Sequence, residues 1–155
     1  MLELNLPYYP FKLKSDGNKY LIMDELRKKY LVLTPEEWVR QHIVQYLINF
    51  KKYPRGLISL EKGLRVNDLL KRTDVLVYDQ HGNPVLLIEC KAPEVKITQD
   101  VFDQAARYNS VYKLKYMIVT NGLEHFCAEI DHDTSKYKFL NDIPSFSTIT
   151  EKHDA

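Results

Sequence analysis

The residues of this sequence that are best placed for chemistry are Asp74, Glu89 and Lys91. The segment 84–91 (PVLLIECK) is an apolar run that ends in charge, which predicts a strand buried on both faces. Because side chains alternate along a strand, Glu89 and Lys91 point to the same face at its end. The segment 72–79 predicts a second strand with Asp74 near its start, and the residues between the two segments have the composition of a hairpin turn. Antiparallel pairing across this turn brings Asp74 toward Glu89 and Lys91.

Two carboxylates and a lysine in this arrangement predict a divalent-metal site. Two converging carboxylates repel each other, so one of them protonates unless a cation lies between them. Mg²⁺ suits such a site, with Mn²⁺ as a substitute, because Mg²⁺ binds through one or two carboxylates and keeps several waters. A lysine beside the metal can position or deprotonate a water. The alternative is that Glu89 and Lys91 form only an ordinary ion pair at the end of a strand.

The order Asp74, Glu89, Lys91 resembles the D…E-x-K signature of the PD-(D/E)XK nuclease superfamily. The residues around both strands (KRTD and IECKAP) are most similar to the N-terminal nuclease domain of type I restriction enzyme R subunits. The resemblance covers residues 33–144. One departure is Thr73, which stands where the superfamily motif has proline, at a position that does not bind the metal.

This resemblance implies a Mg²⁺-dependent endonuclease that hydrolyses DNA phosphodiester bonds. Asp74, Glu89 and the main-chain carbonyl of Cys90 would bind the metal, and Lys91 would act on the attacking water. It also implies an α/β fold of the restriction-endonuclease type, with a central mixed five-stranded sheet flanked by helices.

The first predicted helix carries a further acid. The segment 34–37 (TPEE) offers a threonine N-cap, a proline at the first helical position and an acid that completes a capping box, and an apolar stripe continues to about Phe50. Glu37 shares a flank of this stripe with Gln41. In the resembled family an acid of the first helix enters the metal site, which implies Glu37 as a metal ligand, with Glu36 as a substitute, and places Gln41 near the DNA. The alternative is that Glu37 only caps the helix.

A second helix is predicted from Gln99, after the N-cap Thr98, to about Tyr112. Gln104 and Tyr108 on this helix match the Q-x-x-x-Y motif that follows E-x-K in the restriction-subunit branch. The resemblance implies that Gln104 acts at the catalytic site and that Tyr108 contacts DNA. The alternative is a plain amphipathic helix.

The distribution of charge also favours a nucleic-acid partner. The net charge is only +1, but the segment 51–72 holds seven basic residues against two acids. A basic segment beside an acidic site suits the phosphate backbone of DNA, so Lys71 and Arg72 of this segment are predicted to contact DNA, together with Arg107 of the second predicted helix. The alternative is a solvated surface with uneven charge.

Composition excludes several other classes of protein. The 155 residues are 45% hydrophobic and 28% charged, as in a globular domain, and contain no long apolar segment and no signal peptide. The two cysteines, Cys90 and Cys127, are predicted to be reduced core residues of a cytoplasmic protein, and no zinc-binding spacing occurs.

We predict three parts of the chain. Residues 1–33 form an N-terminal hairpin arm, with a helical turn near 24–30; residues 34–148 form the nuclease domain; residues 149–155 are a frayed tail. In the core, residues 57–66 are predicted to form a first strand. The strand, helix, strand order over 85–120 predicts a parallel pair.

Partners follow from what these residues lack as well as from what they contain. There is no G-x-x-x-x-G-K-[ST] segment, so no ATP-driven motor is expected within these residues. The predicted nuclease activity makes DNA the expected substrate, and no membrane is expected as a partner. Without a motor, we expect either a stand-alone nuclease, for which a dimer is plausible, or a nuclease that works with a separate motor or specificity subunit. The alternative function is a catalytically silent module that uses the nuclease fold to bind nucleic acid or another protein.

Overall fold

A computed structural model describes residues 2–60, 63–66, 69–72 and 74–151; for 63–66 and 69–72 the description covers the main chain only. The described residues form eleven strands and three α-helices, with a short 3-10 helix at Arg55–Leu57. The helices are α1 Pro35–Phe50, α2 Gln99–Tyr112 and α3 Phe146–Thr150. The strands are β1 Leu13–Asp16, β2 Lys19–Asp24, β3 Lys29–Val32, β4 Ile58–Leu60, β5 Gly63–Val66, β6 Leu69–Arg72, β7 Val75–Tyr78, β8 Pro84–Cys90, β9 Tyr116–Thr120, β10 His125–Asp131 and β11 Lys136–Leu140.

The central sheet is mixed and has the strand order β11-β10-β9-β8-β7-β4 in the described part of the chain. Only β8 and β9 are parallel; the other neighbours are antiparallel. The prediction of an α/β fold with a mixed sheet is confirmed. The expected number of five strands is wrong, because β11 pairs with β10 from Cys127↔Leu140 to Asp131↔Lys136 and adds a sixth strand.

The strand β8 lies inside this sheet, as its aliphatic run predicts. Leu86, Leu87 and Ile88 are buried, and β8 pairs with β7 across the predicted hairpin and with β9 after the crossover through α2. A parallel pair needs such a crossover connection, and α2 provides it. The hairpin and the parallel pair are therefore confirmed, and both position the E-x-K segment at the end of a central strand.

Helices cover both faces of the sheet. On one face, Val39, Ile43 and Leu47 of α1 pack in a cluster with Val75 and Ile88. On the other, Phe102 and Ala105 of α2 pack with Met117 and Val119 of β9. Alternate residues of β9 enter these two clusters, as expected for a strand buried on both faces. Burial of α3 follows from Phe146 and Ile149, which join the α1 cluster.

The N-terminal residues form a separate three-stranded sheet, β1-β2-β3. The predicted hairpin is confirmed as β1 and β2. The helical turn expected near residues 24–30 is wrong: the Asp24 carboxylate accepts the N–H groups of Leu26 and Arg27, which makes a tight turn, and β3 then pairs with β2. The boundaries of the three predicted parts of the chain stay a prediction.

The predicted first core strand over residues 57–66 is divided in the structure. Only β4 joins the central sheet, where it pairs with β7, while β5 pairs with β6 in a hairpin of its own. The strand of Asp74 accordingly begins at Val75 and not at Arg72, which belongs to β6.

None of the helices in the described part of the chain has the length and apolar character that a membrane span requires.

Candidate active site

The start of β7 and the end of β8 lie side by side at the same end of the central sheet, as the sequence predicts. Val75 pairs with Ile88, so the next residues outward, Asp74 and Glu89, are neighbours across the two strands. A direct bond joins the segments, because the N–H of Cys90 donates to Oδ2 of Asp74 over 2.7 Å. This bond fixes one carboxylate oxygen of Asp74 against the E-x-K segment.

Glu89 and Lys91 form an ion pair at the same strand end. Their side chains are 35% and 32% exposed, and Nζ of Lys91 lies 3.4 Å from Oε1 of Glu89. By the alternation of β8, Glu89 shares a face with Leu87, which packs beside Tyr108 of α2. The E-x-K side chains therefore leave the strand on the face that α2 covers.

Asp74 also borders a cavity of about 350 Å³ between α1 and the sheet. Its lining residues come from β3, α1, the start of β7 and the end of β8: Leu31, Val32, Thr34, Glu36, Glu37, Arg40, Asp74 and Cys90. Glu89 and Lys91 do not line this cavity. Asp74 thus stands between two groups of residues, the E-x-K pair on one side and the α1 residues on the other.

On α1, Glu37 and Arg40 form a buried ion pair. Nε of Arg40 donates to Glu37 Oε2 over 2.9 Å, and Nη2 of Arg40 donates to Oε1. Glu37 is 5% exposed, and Nη1 of Arg40 lies 3.9 Å from Oδ1 of Asp74. The Glu37 N–H is capped by the Thr34 hydroxyl, as predicted, but its carboxylate is directed at Arg40. Glu37 therefore does more than cap the helix, and it faces the cavity that Asp74 borders.

Gln41 continues this network into the protein. It is 1% exposed, and its amide donates to Glu37 over 2.9 Å and to Asp24 of β2 over 3.2 Å. Asp24 is fully buried and accepts from Nε of Arg27 over 2.8 Å. Gln41 was predicted to contact DNA, but in this structure it is an interior residue that joins α1 to the N-terminal sheet.

The electrostatics of the site centre on Asp74. Burial raises the pKa of its carboxyl group above the ordinary value of 3.8, and the charge of Glu89 acts in the same direction. The Cys90 N–H and the Arg40 guanidinium oppose this rise in pKa. Burial also raises the pKa of the Cys90 thiol well above its usual value. Cys90 therefore stays a thiol near neutral pH.

The donor set of this site suits a hard cation that keeps most of its waters. The described residues contain no group of three His, Cys, Asp or Glu side chains that could hold a metal ion. Asp74 and Glu89 nonetheless offer two partly exposed carboxylates, 33% and 35% exposed, at one strand end. One or two carboxylates with water is the usual ligand set of Mg²⁺ in proteins. The residues present therefore fit Mg²⁺ bound mainly through water.

The residues of the predicted Q-x-x-x-Y motif lie on α2. Gln104 and Arg107 are exposed, whereas Tyr108 is half-buried against Leu76 and Leu87. The hydroxyl of Tyr112 donates to that of Tyr108 over 3.3 Å. The predicted N-cap is confirmed, since Thr98 accepts the N–H of Val101. α2 thus covers the face of β8 from which Glu89 projects.

Two further predicted residues cannot be placed, and one site residue was missed. The side chains of Lys71 and Arg72 lie outside the described residues. Arg40 was not predicted, although it stands three residues after Glu37 on α1, a spacing at which opposite charges meet on a helix. That spacing was the available signal in the sequence.

The fold resembles that of a solved protein. A fragment assigned as an HsdR subunit of a type I restriction enzyme from Vibrio vulnificus YJ016 matches with a TM-score of 0.51 and 22% sequence identity, over 73% of this chain and 24% of that chain. At this identity the likeness concerns the fold alone. The present chain spans about a quarter of the length of that protein chain.

The sequence places the chain in a family. Residues 35–144 match the family described as the N terminus of the type I restriction enzyme R protein, and the chain belongs to this family. The predicted resemblance to the R-subunit N-terminal region is thereby confirmed, and the domain is related to restriction enzymes. Among curated protein sequences, none matches this chain. The PD-(D/E)XK assignment stays a prediction.

Proposed function

We propose that this chain is a Mg²⁺-dependent endonuclease domain that hydrolyses DNA phosphodiester bonds. The observation that carries the proposal is the 2.7 Å bond between the Cys90 N–H and Asp74, which joins an acid to the strand end that bears Glu89 and Lys91. Membership in the R-protein N-terminal family supports the same reading.

In this proposal Asp74 and Glu89 hold the cation, together with the carbonyl of Cys90. When bound there, a divalent cation supplies charge neutralisation for the scissile phosphate and lowers the pKa of a bound water. The carboxylates are well suited because one oxygen of Asp74 is fixed by the main chain and both side chains are partly open to solvent.

Lys91 is proposed to orient the attacking water. Its ammonium group lies 3.4 Å from Glu89 in the ion pair, so it stays beside the metal-binding carboxylate and can hold or move a proton there. Glu37, expected as a metal ligand, is bound instead by Arg40 and Gln41, and we propose that it acts on the site through Arg40.

DNA would reach the site along α2 and the basic segment before β7. Gln104 and Arg107 are exposed on α2, and Tyr108 lies on the face of β8 from which Glu89 projects. Lys71 and Arg72 precede Asp74 in the sequence and supply positive charge for phosphates. A motor or specificity subunit on a separate chain is the proposed partner, in keeping with the R-protein family.

A plasmid-nicking assay with Mg²⁺, Mn²⁺ or EDTA tests this function. Wild-type protein should nick DNA only with a divalent metal, and Asp74→Asn should abolish nicking while keeping an acceptor for the Cys90 N–H. Lys115→Met is a matched control, because Lys115 pairs with Glu129 over 3.6 Å at the opposite end of β9. Nicking that persists in EDTA or in Asp74→Asn would contradict the proposal.

A catalytically silent DNA-binding module is the second candidate. The observation that favours it is Arg40, whose guanidinium lies 3.9 Å from Asp74 and supplies a positive charge beside this carboxylate. Salt-dependent DNA binding without cleavage, at every divalent metal tested, would establish this second function.

A further inference from the structure

The charge balance of the cavity beside Asp74 depends on one guanidinium group. Three acids line this cavity, Glu36, Glu37 and Asp74, and Arg40 is its one basic lining residue among the described residues. Arg40 contacts Glu37 through two nitrogens and points its third, Nη1, at Asp74 over 3.9 Å. A buried cation that is shared between two carboxylates compensates the repulsion that these acids would otherwise exert on each other.

From this geometry we infer that Arg40 is a built-in counter-ion of Asp74. It supplies a positive charge beside this carboxylate when no divalent cation is bound, and it competes with that cation for Asp74. The inference rests on the proposed metal site at Asp74 and Glu89. It assigns a role to Arg40 that does not depend on cleavage of DNA.

The competition follows from the distances. A divalent cation on Oδ1 of Asp74 would stand within a few ångströms of Nη1 of Arg40, since Oδ2 of the same carboxylate already accepts the Cys90 N–H. Like charges at such a distance repel strongly in a partly dry site. Binding of the metal therefore requires the guanidinium to withdraw toward Glu37 or to leave the cavity.

Glu37 is the positioning residue for Arg40. Its carboxylate accepts from Nε and Nη2 of Arg40, which fixes the plane of the guanidinium and aims Nη1 at Asp74. Gln41 holds Glu37 in turn, over 2.9 Å. The network thus keeps Arg40 close to Asp74 and limits its freedom to move away.

Calorimetric titration of Mn²⁺ alone, without DNA, tests the inference. Arg40→Met should bind Mn²⁺ roughly tenfold more tightly than the wild type, because one positive charge near a divalent site is removed. Arg40→Lys keeps the charge and should stay close to the wild type. Lys115→Met removes a paired cation at the far end of β9 and should leave the affinity unchanged.

A double variant separates two explanations of tighter binding. In Arg40→Met, Glu37 loses its charged partner and could itself bind Mn²⁺. The single variant could also fail to fold. Glu37→Gln with Arg40→Met removes both buried charges, which proteins commonly tolerate, and leaves no acid at position 37. Tighter Mn²⁺ binding in this folded double variant than in Glu37→Gln alone, from which it differs only at position 40, supports the counter-ion role of Arg40.

Mn²⁺ binding in the double variant that is no tighter than in Glu37→Gln would overturn the inference. Asp74→Asn tells this failure from a failure of the proposed function: if wild type binds Mn²⁺ and Asp74→Asn does not, the metal site stands and only the role of Arg40 falls. If no variant binds Mn²⁺, both proposals fall. Mn²⁺ should also raise the melting temperature of the double variant more than that of Glu37→Gln, as tighter binding requires.

Discussion

The N–H of Cys90 donates to Oδ2 of Asp74 over 2.7 Å, so a main-chain group sets the position of this carboxylate. A main-chain donor cannot rotate away as a side chain can. The Cys90 side chain takes no part in this bond and packs in the buried cluster on the α1 face. The contact that position 90 makes with Asp74 comes from its N–H group.

Neither cysteine should react with a thiol reagent in the folded protein. Both are buried, and burial raises the pKa of Cys90 well above its usual value and that of Cys127 to about 12. Thiolates are therefore scarce at about pH 8, and the reagent has no access to them. Reaction with Ellman's reagent should be slow in buffer and fast in denaturant. Rapid labelling of one thiol in buffer would show that the residues burying this cysteine move apart in the folded protein.

Glu37→Gln should destabilise the protein by roughly 3 kcal/mol, because it removes the carboxylate that binds two nitrogens of the buried Arg40 guanidinium. The double variant with Arg40→Met should lose much less, since no buried charge is then uncompensated. Urea unfolding of wild type, both single variants and the double variant measures the coupling energy. A coupling close to zero would mean that water stabilises these charges despite their burial.

Local signals made much of the fold predictable. The Thr34 cap and the Pro35 start of α1 depend on neighbouring residues, and the aliphatic run of β8 identifies a strand covered on both faces. The place of β11 and the division of residues 57–66 depend on pairing with distant strands, which no local pattern determines. The proximity of Asp74 to the E-x-K segment was predictable because one short hairpin connects their two strands.

The α1 side of the site was harder to predict. The acid at Glu37 could be named, but its partner depends on which cation reaches it in the folded protein. Arg40 does so because it follows Glu37 by three residues on α1, and Asp74 approaches the same guanidinium from another element. Gln41 is predicted from the sequence to contact DNA, whereas in the structure it is buried and its amide donates to Asp24 of the N-terminal sheet.

His42 should make the protein less stable in mild acid. Burial lowers the pKa of its imidazole below 6.5, and the hydrogen bond to the Trp38 carbonyl only partly opposes this. The unfolded chain therefore binds the proton more tightly than the folded protein. The stability that His42 contributes is complete above pH 6.5 and falls as the pH decreases through 6.5 toward the folded pKa.

The matched variant for this test is His42→Asn, which keeps a donor for the Trp38 carbonyl but does not titrate. The free energy of urea unfolding should fall more steeply for wild type than for His42→Asn between about pH 7.5 and about pH 5.5. Carboxylates contribute equally to both proteins. Parallel curves would show that the folded protein protonates His42 as readily as the unfolded chain does.

Gln104→Ala should weaken DNA cleavage without changing stability. The side chain is exposed on α2, so the free energy of unfolding should change by about 0.5 kcal/mol or less. Tyr108→Phe tests the hydroxyl group of the motif alone, because the phenylalanine ring keeps the packing against Leu76 and Leu87. Val111→Ala, at another exposed position of α2, is the control. If Gln104→Ala and Val111→Ala cleave equally well, the Q-x-x-x-Y motif has no role in the reaction.

Asp74→Ala and Lys91→Ala should fail in different ways. Asp74 is a proposed metal ligand, so its loss should weaken Mn²⁺ binding and abolish cleavage together. Lys91 is proposed to act on the water and does not hold the metal. Its loss should leave the Mn²⁺ affinity intact or raise it, because a positive charge beside Glu89 is gone. Cleavage should still fall by about a hundredfold or more, as when a water-positioning group is removed.

Calorimetric titration of Mn²⁺ beside a plasmid-nicking assay distinguishes the two variants. Asp74→Asn repeats the first test with an acceptor retained for the Cys90 N–H, so that a loss of affinity cannot be attributed to a broken main-chain contact. An equal loss of Mn²⁺ affinity in the Asp74 and Lys91 variants would remove the separate role of Lys91, because the lysine would then serve only to hold Glu89 in place through their 3.4 Å ion pair.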